Sequence, residues 1–251
     1  MQAIYTAGSG LAGQQARLDT IAANVANANT TGYKSVRVDF KDALYALMDS
    51  PVSDGEANNL LLGSGVVLNA TGSDFSGGPL IETGGPLDFA IRGAGFFTVR
   101  TPEGEILYTR NGNFSAGRFD GESCLVTAQG YEVLDAEGDR IALPESGSGI
   151  SVSDEGVLST EAGAFAKLGI AAFANPNGLS AVGETYYAAT ETSGGPMAEE
   201  DLSVTQGSLE NSNVNLAQEM TLLIRSQRAF SLASRALQTA DDMEGLANNL
   251  R

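Results

Sequence analysis

The stretch IYTAGSGLAGQQARLDTIAANV, residues 4–25, can be read two ways, and the choice decides the fold. Its GSGLAG, residues 8–13, has the G-x-G-x-x-G spacing of a dinucleotide-binding turn. That turn needs a strand before it and a βαβ unit around it. Only seven residues precede Gly8, and they follow another periodicity. Ile4, Ala7, Leu11, Gln14, Leu18, Ile21 and Val25 step by three and four in alternation. This is the heptad seam of a packed helix, not the period of two of a strand. The nucleotide reading is rejected, and Gly8, Gly10 and Gly13 are read as close-contact positions on a packed helix. Each costs the helix roughly 0.5–1 kcal/mol relative to alanine, so the helix needs a partner to stay folded. NANTTGYK, residues 27–34, crowds capping and turn residues ahead of Gly32 and marks the helix end. Lys34 follows, where a cation suits the helix dipole.

The other end of the chain repeats the pattern. Leu216, Met220, Leu223, Gln227, Phe230, Ser234 and Leu237 step by four and three. Each seam carries one mid-seam glutamine, Gln14 or Gln227, a polar residue that costs stability and can fix register. Two arrangements are open: each helix packs on its own globular domain, or the helices pair with each other. Matched seams, and the tendency of chain termini to lie close together, make pairing the simpler expectation.

Between the ends the texture changes. LDFAIRGAGFFTV, residues 87–99, alternates, with Phe89 and Ile91 on one face and Phe97 and Val99 restarting the pattern. Apolar runs then recur around PEGE, Glu137-Gly138, Glu155-Gly156 and NPNG. Short strands with such turns read as an antiparallel sandwich or barrel. The expected fold class is α+β: paired terminal helices in a coiled-coil-like domain, a central all-β domain and an extended arm. The expected boundaries are 1–35 for the first helix, 36–80 for the partly β arm, 81–205 for the β domain and 206–251 for the second helix.

Composition removes most catalytic chemistry. The 251 residues include no histidine, no tryptophan and one cysteine, Cys124. No Ser-His-Asp or Cys-His pair and no His/Cys zinc site can be built, and no disulfide can form within the chain. Cys124 is expected as a buried or half-buried thiol. No cofactor and no metal is expected. The net charge of −17 argues against nucleic acid and anionic membrane surfaces. No apolar stretch is long enough for a membrane span, and MQAIYTAG does not read as a secretory signal peptide. Residues 1–48 carry four basic and three acidic groups, residues 207–251 four basic and five acidic, so the acidity sits in the middle. Near-neutral ends can pack on copies of themselves, while the middle repels and stays solvated.

IAANVANANTTGYKSVRVDF, residues 21–40, and residues 206–243, from QGSLENSNVN to ALQTADDM, resemble the N- and C-terminal signatures of the bacterial flagellar rod and hook protein family. GGPLDFAIRGAGFFTV (84–99), YTRNGNF (108–114) and LLLGSGVVLNATGSDFSGGPL (60–80) resemble its β core and arm. The resemblance spans nearly the whole chain, and its length suits a rod rather than a hook protein. SAGRFDGESCLVTAQG, residues 115–130, departs from the pattern in length. The family motif positions are Asn24, Asn27, Thr31, Gly32, Tyr33, Lys34, Asn211, Ser212, Asn213 and Val214. The assembly seams are Ile4, Leu11, Leu18, Ile21, Val25, Leu216, Met220, Leu223, Phe230 and Leu237.

The resemblance implies a structural subunit, not an enzyme, at a distal position in a hollow helical shaft that transmits torque. It implies export, unfolded, through the flagellar type III apparatus. The implied partners are further copies of the chain, neighbouring rod and hook subunits and, where the host has an outer membrane, an LP-ring bushing. The implied location is the flagellar basal body, outside the cytoplasmic membrane, without a cleaved signal. The alternatives are a proximal rod or hook protein of the same family, an acidic extracellular β-domain adhesin, and a peptidoglycan hydrolase, for which no pair of acids stands out.

Overall fold

The computed structural model describes residues 2–43, 46–47, 61–62, 65–119, 121–144, 149–161, 163–197 and 202–249. The chain divides into two units: Met1–Ala26, Val36–Ser73 and Asn215–Arg251 form the first, Asn27–Ser35 and Asp74–Val214 the second. Of the expected arm, residues 36–80, residues 44–45, 48–60 and 63–64 lie outside the described residues.

The first unit is built on two helices. α1 spans Gln2–Ala26 and α2 spans Leu216–Asn249. They pack against each other. α1 stops where the sequence turns to asparagine and threonine. Asn215 caps the start of α2: its Oδ1 accepts the Gln218 backbone N–H at 3.2 Å. That satisfies one of the helix's unpaired first-turn donors. Between the helices lie β1 (Val36–Asp42), β2 (Ala46–Leu47), β3 (Leu61–Leu62) and β4 (Val66–Ser73). β1 pairs antiparallel with β4, with a bulge at Asp39/Phe40, and β2 pairs with β3. The β1–β4 ribbon packs on α1. There the small residues matter: a Cβ at Gly13 would sit 3.3 Å from the Phe40 ring. Ser9 Oγ accepts the Val66 backbone N–H at 3.3 Å. Gly8 and Gly10 have nothing within 4 Å of a built Cβ, so within one chain only Gly13 is a close-contact position.

The second unit is built of β-strands, with one short 3-10 turn at Pro176–Gly178. Its strands are β5 (Leu80–Glu82), β6 (Phe89–Arg92), β7 (Phe96–Arg100), β8 (Ile106–Thr109), β9 (Phe114–Phe119), β10 (Glu122–Thr127) and β11 (Glu132–Val133). They continue with β12 (Ser151–Val152), β13 (Val157–Thr160), β14 (Gly163–Lys167), β15 (Ile170–Ala171), β16 (Ser180–Ala181), β17 (Tyr186–Ala188), β18 (Ser203–Gln206) and β19 (Ser208–Glu210). The main sheet runs β16-β17-β8-β7-β11-β10-β9, with β15 also on β7. A second sheet is β12-β13-β14, and β18 pairs with β6 and β19 with β5. Every described strand pair is antiparallel, and none of these sheets closes into a barrel.

β7 shows why one strand can serve two cores. Alternate side chains leave opposite faces. Phe97 and Val99 join Phe89, Ile91, Leu107, Leu125 and Leu158 in the larger cluster. Phe96 goes the other way, to Tyr108, Phe173 and Tyr187, with Phe75 edge-on to its ring at 5.4 Å. Cys124 is buried in β10, and burial pushes its thiol pKa up. Less thiolate at neutral pH and no access predict slow alkylation. Iodoacetamide at pH 8 is expected to modify the folded protein far more slowly than the protein in urea; equal rates would mean an open β unit.

Candidate assembly surfaces and a buried charge cluster

The seams have different fates on the two helices. On α1, Ile21 is buried, and Leu11, Leu18, Val25 and Gln14 are half-buried. Ile4 lies in α1, but its side chain is outside what is described. On α2 the covered residues include Glu219, Leu223, Ser226, Phe230, Ala233, Leu237 and Ala240, again stepping by four and three, with Leu222, Ala229 and Ser234 half-buried beside them. Leu223, Phe230 and Leu237 belong to the seam read from the sequence. Leu216 and Met220 do not join them: they are 47% and 44% exposed. With Ile224, at 51%, they form an i, i+4, i+8 stripe on a second face. Leu232, Met243 and Leu246 extend the exposed apolar series along α2. α2 thus has a covered face of small and apolar residues and an uncovered apolar one.

The motif positions are buried or half-buried structural joints. In the first unit, Asn24 is buried on α1 and pairs both backbone groups of Val36. Its Nδ2 donates to Val36 O and its Oδ1 accepts from Val36 N, each at 2.9 Å. Nδ2 also reaches Glu219 Oε1 at 3.3 Å. The amide therefore acts as a strand partner for the first residue of β1.

In the second unit the two terminal motif runs meet. The Gly32 backbone N–H donates to Glu210 O at 2.8 Å. Gly32 has φ +71, and a Cβ there would lie 2.4 Å from Asn111 N. Tyr33 and Ser212 are buried, and Thr31, Asn27 and Val214 half-buried. Asn27 Oδ1 accepts from Thr30 Oγ1 at 3.0 Å. Asn211 N donates to Pro79 O at 2.9 Å. Asn213 Oδ1 accepts from Ser35 N, and its Nδ2 donates to Asp74 O, both at 2.8 Å.

Beneath this contact lie three buried charges. Lys34 Nζ is 2.6 Å from Glu210 Oε1 and donates to Ser76 O at 2.7 Å. Arg110 Nη1 is 3.3 Å from Glu210 Oε2, and Nη2 donates to Gly93 O at 2.7 Å. The guanidinium also sits 5.3 Å from the centroid of the Phe96 ring, a cation–π distance. Gly78 N donates to Glu210 Oε1 at 2.8 Å. Arg110 Nε is buried without a hydrogen-bond partner. Burial lowers the pKa of Lys34 and of Arg110, and Glu210 opposes both shifts. One carboxylate thus serves two desolvated cations. Such a cluster adds little net stability over an apolar core, yet removing one partner is costly because a charge is left buried and unpaired.

Arg110 and Glu210 were not singled out in the sequence, although both lie inside the quoted runs YTRNGNF and QGSLENSNVN. The available signal was a lone charge flanked by strand and turn residues in each. Among the described residues no group of three or more His, Cys, Asp or Glu side chains is placed to hold a metal ion.

Three protein-family models match the chain. "Flagella basal body rod protein" matches residues 4–34, "Flagellar hook protein FlgE/F/G D1 domain" residues 90–160, and "Flagellar basal body rod FlgEFG protein C-terminal" residues 205–250. The flagellar basal-body rod protein FlgG of Borreliella burgdorferi is 38% identical over an alignment covering 100% of this chain and 99% of its own. That of Agrobacterium fabrum is 37% identical, covering 99% and 98%. That of Buchnera aphidicola subsp. Baizongia pistaciae is 35% identical, covering 96% of each.

Proposed function

Since the chain belongs to the flagellar basal-body rod protein family, whose members are structural components of the flagellum and not enzymes, we propose that it polymerises helically through its terminal helices into a distal segment of a hollow, torque-transmitting rod. The uncovered apolar series on α2 carries this reading. Leu216, Met220, Ile224, Leu232, Met243 and Leu246 are all 44–70% exposed. Full burial of such a side chain is worth about 1.5–3 kcal/mol. With about half of each still to be buried, the six contribute on the order of 5–9 kcal/mol per subunit, an upper estimate. Association costs about 4–15 kcal/mol, so one such contact is marginal. A lattice in which each subunit meets several neighbours is not. An open head-to-tail contact of this kind grows filaments rather than closed rings.

On this reading α1 and α2 form a coiled-coil-like core within residues 1–35 and 206–251, with residues 81–205 as the outer layer and residues 36–80 as the arm between them. The acidic middle keeps the outer layer solvated. The chain leaves the cell unfolded through the flagellar type III apparatus and meets neighbouring rod and hook subunits. In hosts with an outer membrane it also meets an LP-ring bushing. Its place is outside the cytoplasmic membrane; among the described residues no helix is long and apolar enough to cross one.

The test is electron microscopy of the purified chain at rising concentration, with amide hydrogen exchange on the dilute form. Hollow rods are expected above a threshold concentration, with α1 and α2 weakly protected when dilute and strongly protected in the rods. A permanent monomer with protected helices would instead favour a binding module.

A further inference from the structure

The geometry points to Glu210 as the closing piece of the β unit: Lys34 and Arg110 keep the unit open until this carboxylate, near the unit's C-terminal end, docks between them. The inference concerns how the unit completes its fold, and it holds whether or not the chain polymerises.

The topology places completion late. The early strands β5 and β6 have only β19 and β18 as named strand partners, and these are the last two strands of the chain. The segment 203–211 is bonded into three separate parts of the unit. Val204 N donates to Asp154 O at 3.0 Å, Gly207 N to Asp88 O at 2.8 Å, and Glu210 O accepts from Gly32 N. The Gln206 side chain donates to Pro86 O at 2.7 Å and Ile150 O at 2.8 Å, and accepts from Val152 N at 3.2 Å. Val204 is buried in the core cluster beside Phe89 and Phe97.

Backbone pairing alone would allow a partly closed unit to persist. The charges change that. Lys34 has 0% and Arg110 4% side-chain exposure, and Glu210 lies against both. Without Glu210, closing the unit would bury two cations near one another, with carbonyls, the Phe96 ring and, for Lys34, the charge of Asp74 as their remaining partners. Two like charges taken out of water together are strongly unfavourable. An open unit leaves both hydrated. Because a chain is made from its N-terminus, Lys34 and Arg110 are present well before Glu210. The unit therefore stays open until its last strand arrives, and then closes in one step.

Cys124, the chain's lone cysteine, is buried in the same unit and reports closure. Iodoacetamide labelling would be followed on three full-length chains: wild type, E210Q, and K34M/R110M/E210Q. Glutamine keeps an acceptor for Gly78 N but removes the charge. E210Q is expected to label roughly 10²–10³-fold faster than wild type. Removing both cations from that chain is expected to return labelling to within about tenfold of wild type. If E210Q labels at the wild-type rate, closure does not depend on Glu210. If K34M/R110M/E210Q labels as fast as E210Q, packing rather than charge holds the unit shut. Either result overturns the inference.

Discussion

Gly32→Ala is expected to destabilise the β unit by more than about 4 kcal/mol, in the range where single substitutions are exceptional. Two effects add. Gly32 has φ +71, a left-handed conformation that costs an L-residue roughly 1–2 kcal/mol. The added methyl would also lie 2.4 Å from Asn111 N and 2.7 Å from the Arg110 carbonyl carbon. Those are backbone atoms and cannot rotate away. The only relief is to separate residues 32 and 111, and that pulls on two further contacts. Gly32 N is bonded to Glu210 O, and Arg110, next to Asn111, carries the guanidinium held by Glu210. Gly8→Ala has the opposite sign. Gly8 has nothing within 4 Å of a built Cβ, so alanine is expected to stabilise α1 by about 0.5–1 kcal/mol. Urea unfolding of the two variants measures both. A Gly32→Ala chain unfolding at the wild-type midpoint would mean that the 32/111 approach is not maintained in solution.

The second large effect separates the two faces of α2. Leu223→Asp places a charge on the covered face, between Glu219 and Ser226. It removes apolar burial and adds a desolvated carboxylate beside an existing one, Glu219, whose Oε2 is already buried without a partner. The helix pair is expected to come apart: helical circular dichroism falls, α1 and α2 lose exchange protection, and rods do not form. Labelling of Cys124 stays slow, because the β unit has its own core. Leu216→Asp acts on the uncovered face. It is expected to leave the isolated helix pair intact and still to prevent rod formation. If Leu216→Asp chains form rods as readily as wild type, the uncovered face is not the one that binds neighbouring copies.

The helices and the β region were legible in the sequence because their signals are periodic and local. The steps of three and four from Ile4 to Val25 and the alternation from Phe89 to Val99 require no tertiary knowledge. The phase of α2 was legible only in part: Leu223, Phe230, Ser234 and Leu237 are covered, while Leu216, Met220 and Gln227 are exposed. The seam from Leu216 to Leu237 and the covered series from Glu219 to Ala240 each hold five apolar residues of seven, but the seam's two further large ones, Leu216 and Met220, stand where the covered series has Glu219 and Ser226. Periodicity favours the larger side chains, whereas close helix packing can favour smaller ones. The charge cluster was hidden for another reason. A lysine, an arginine and a glutamate far apart in sequence read as three solvated side chains. Only the pairing of β19 with β5 and the turn at Gly32 bring them together. Asn24 and Asn213 were legible as motif positions but not as joints, since an asparagine's partners are set by backbone groups elsewhere in its unit.

Asn213 also bears on protein engineering. Its amide ties Ser35 N to Asp74 O, and Asp74 N in turn donates to Ser35 O at 2.8 Å. Residues 35, 74 and 213 lie at the margins of the β unit's two chain segments. The unit thus fastens its own ends, and what lies between them can change length without moving the points at which the chain leaves and returns. The β9–β10 hairpin, whose tip includes Gly121 at φ +89, is one such place. A fluorescent tag or a foreign epitope grafted there would be carried by a cassette whose attachment points are already set.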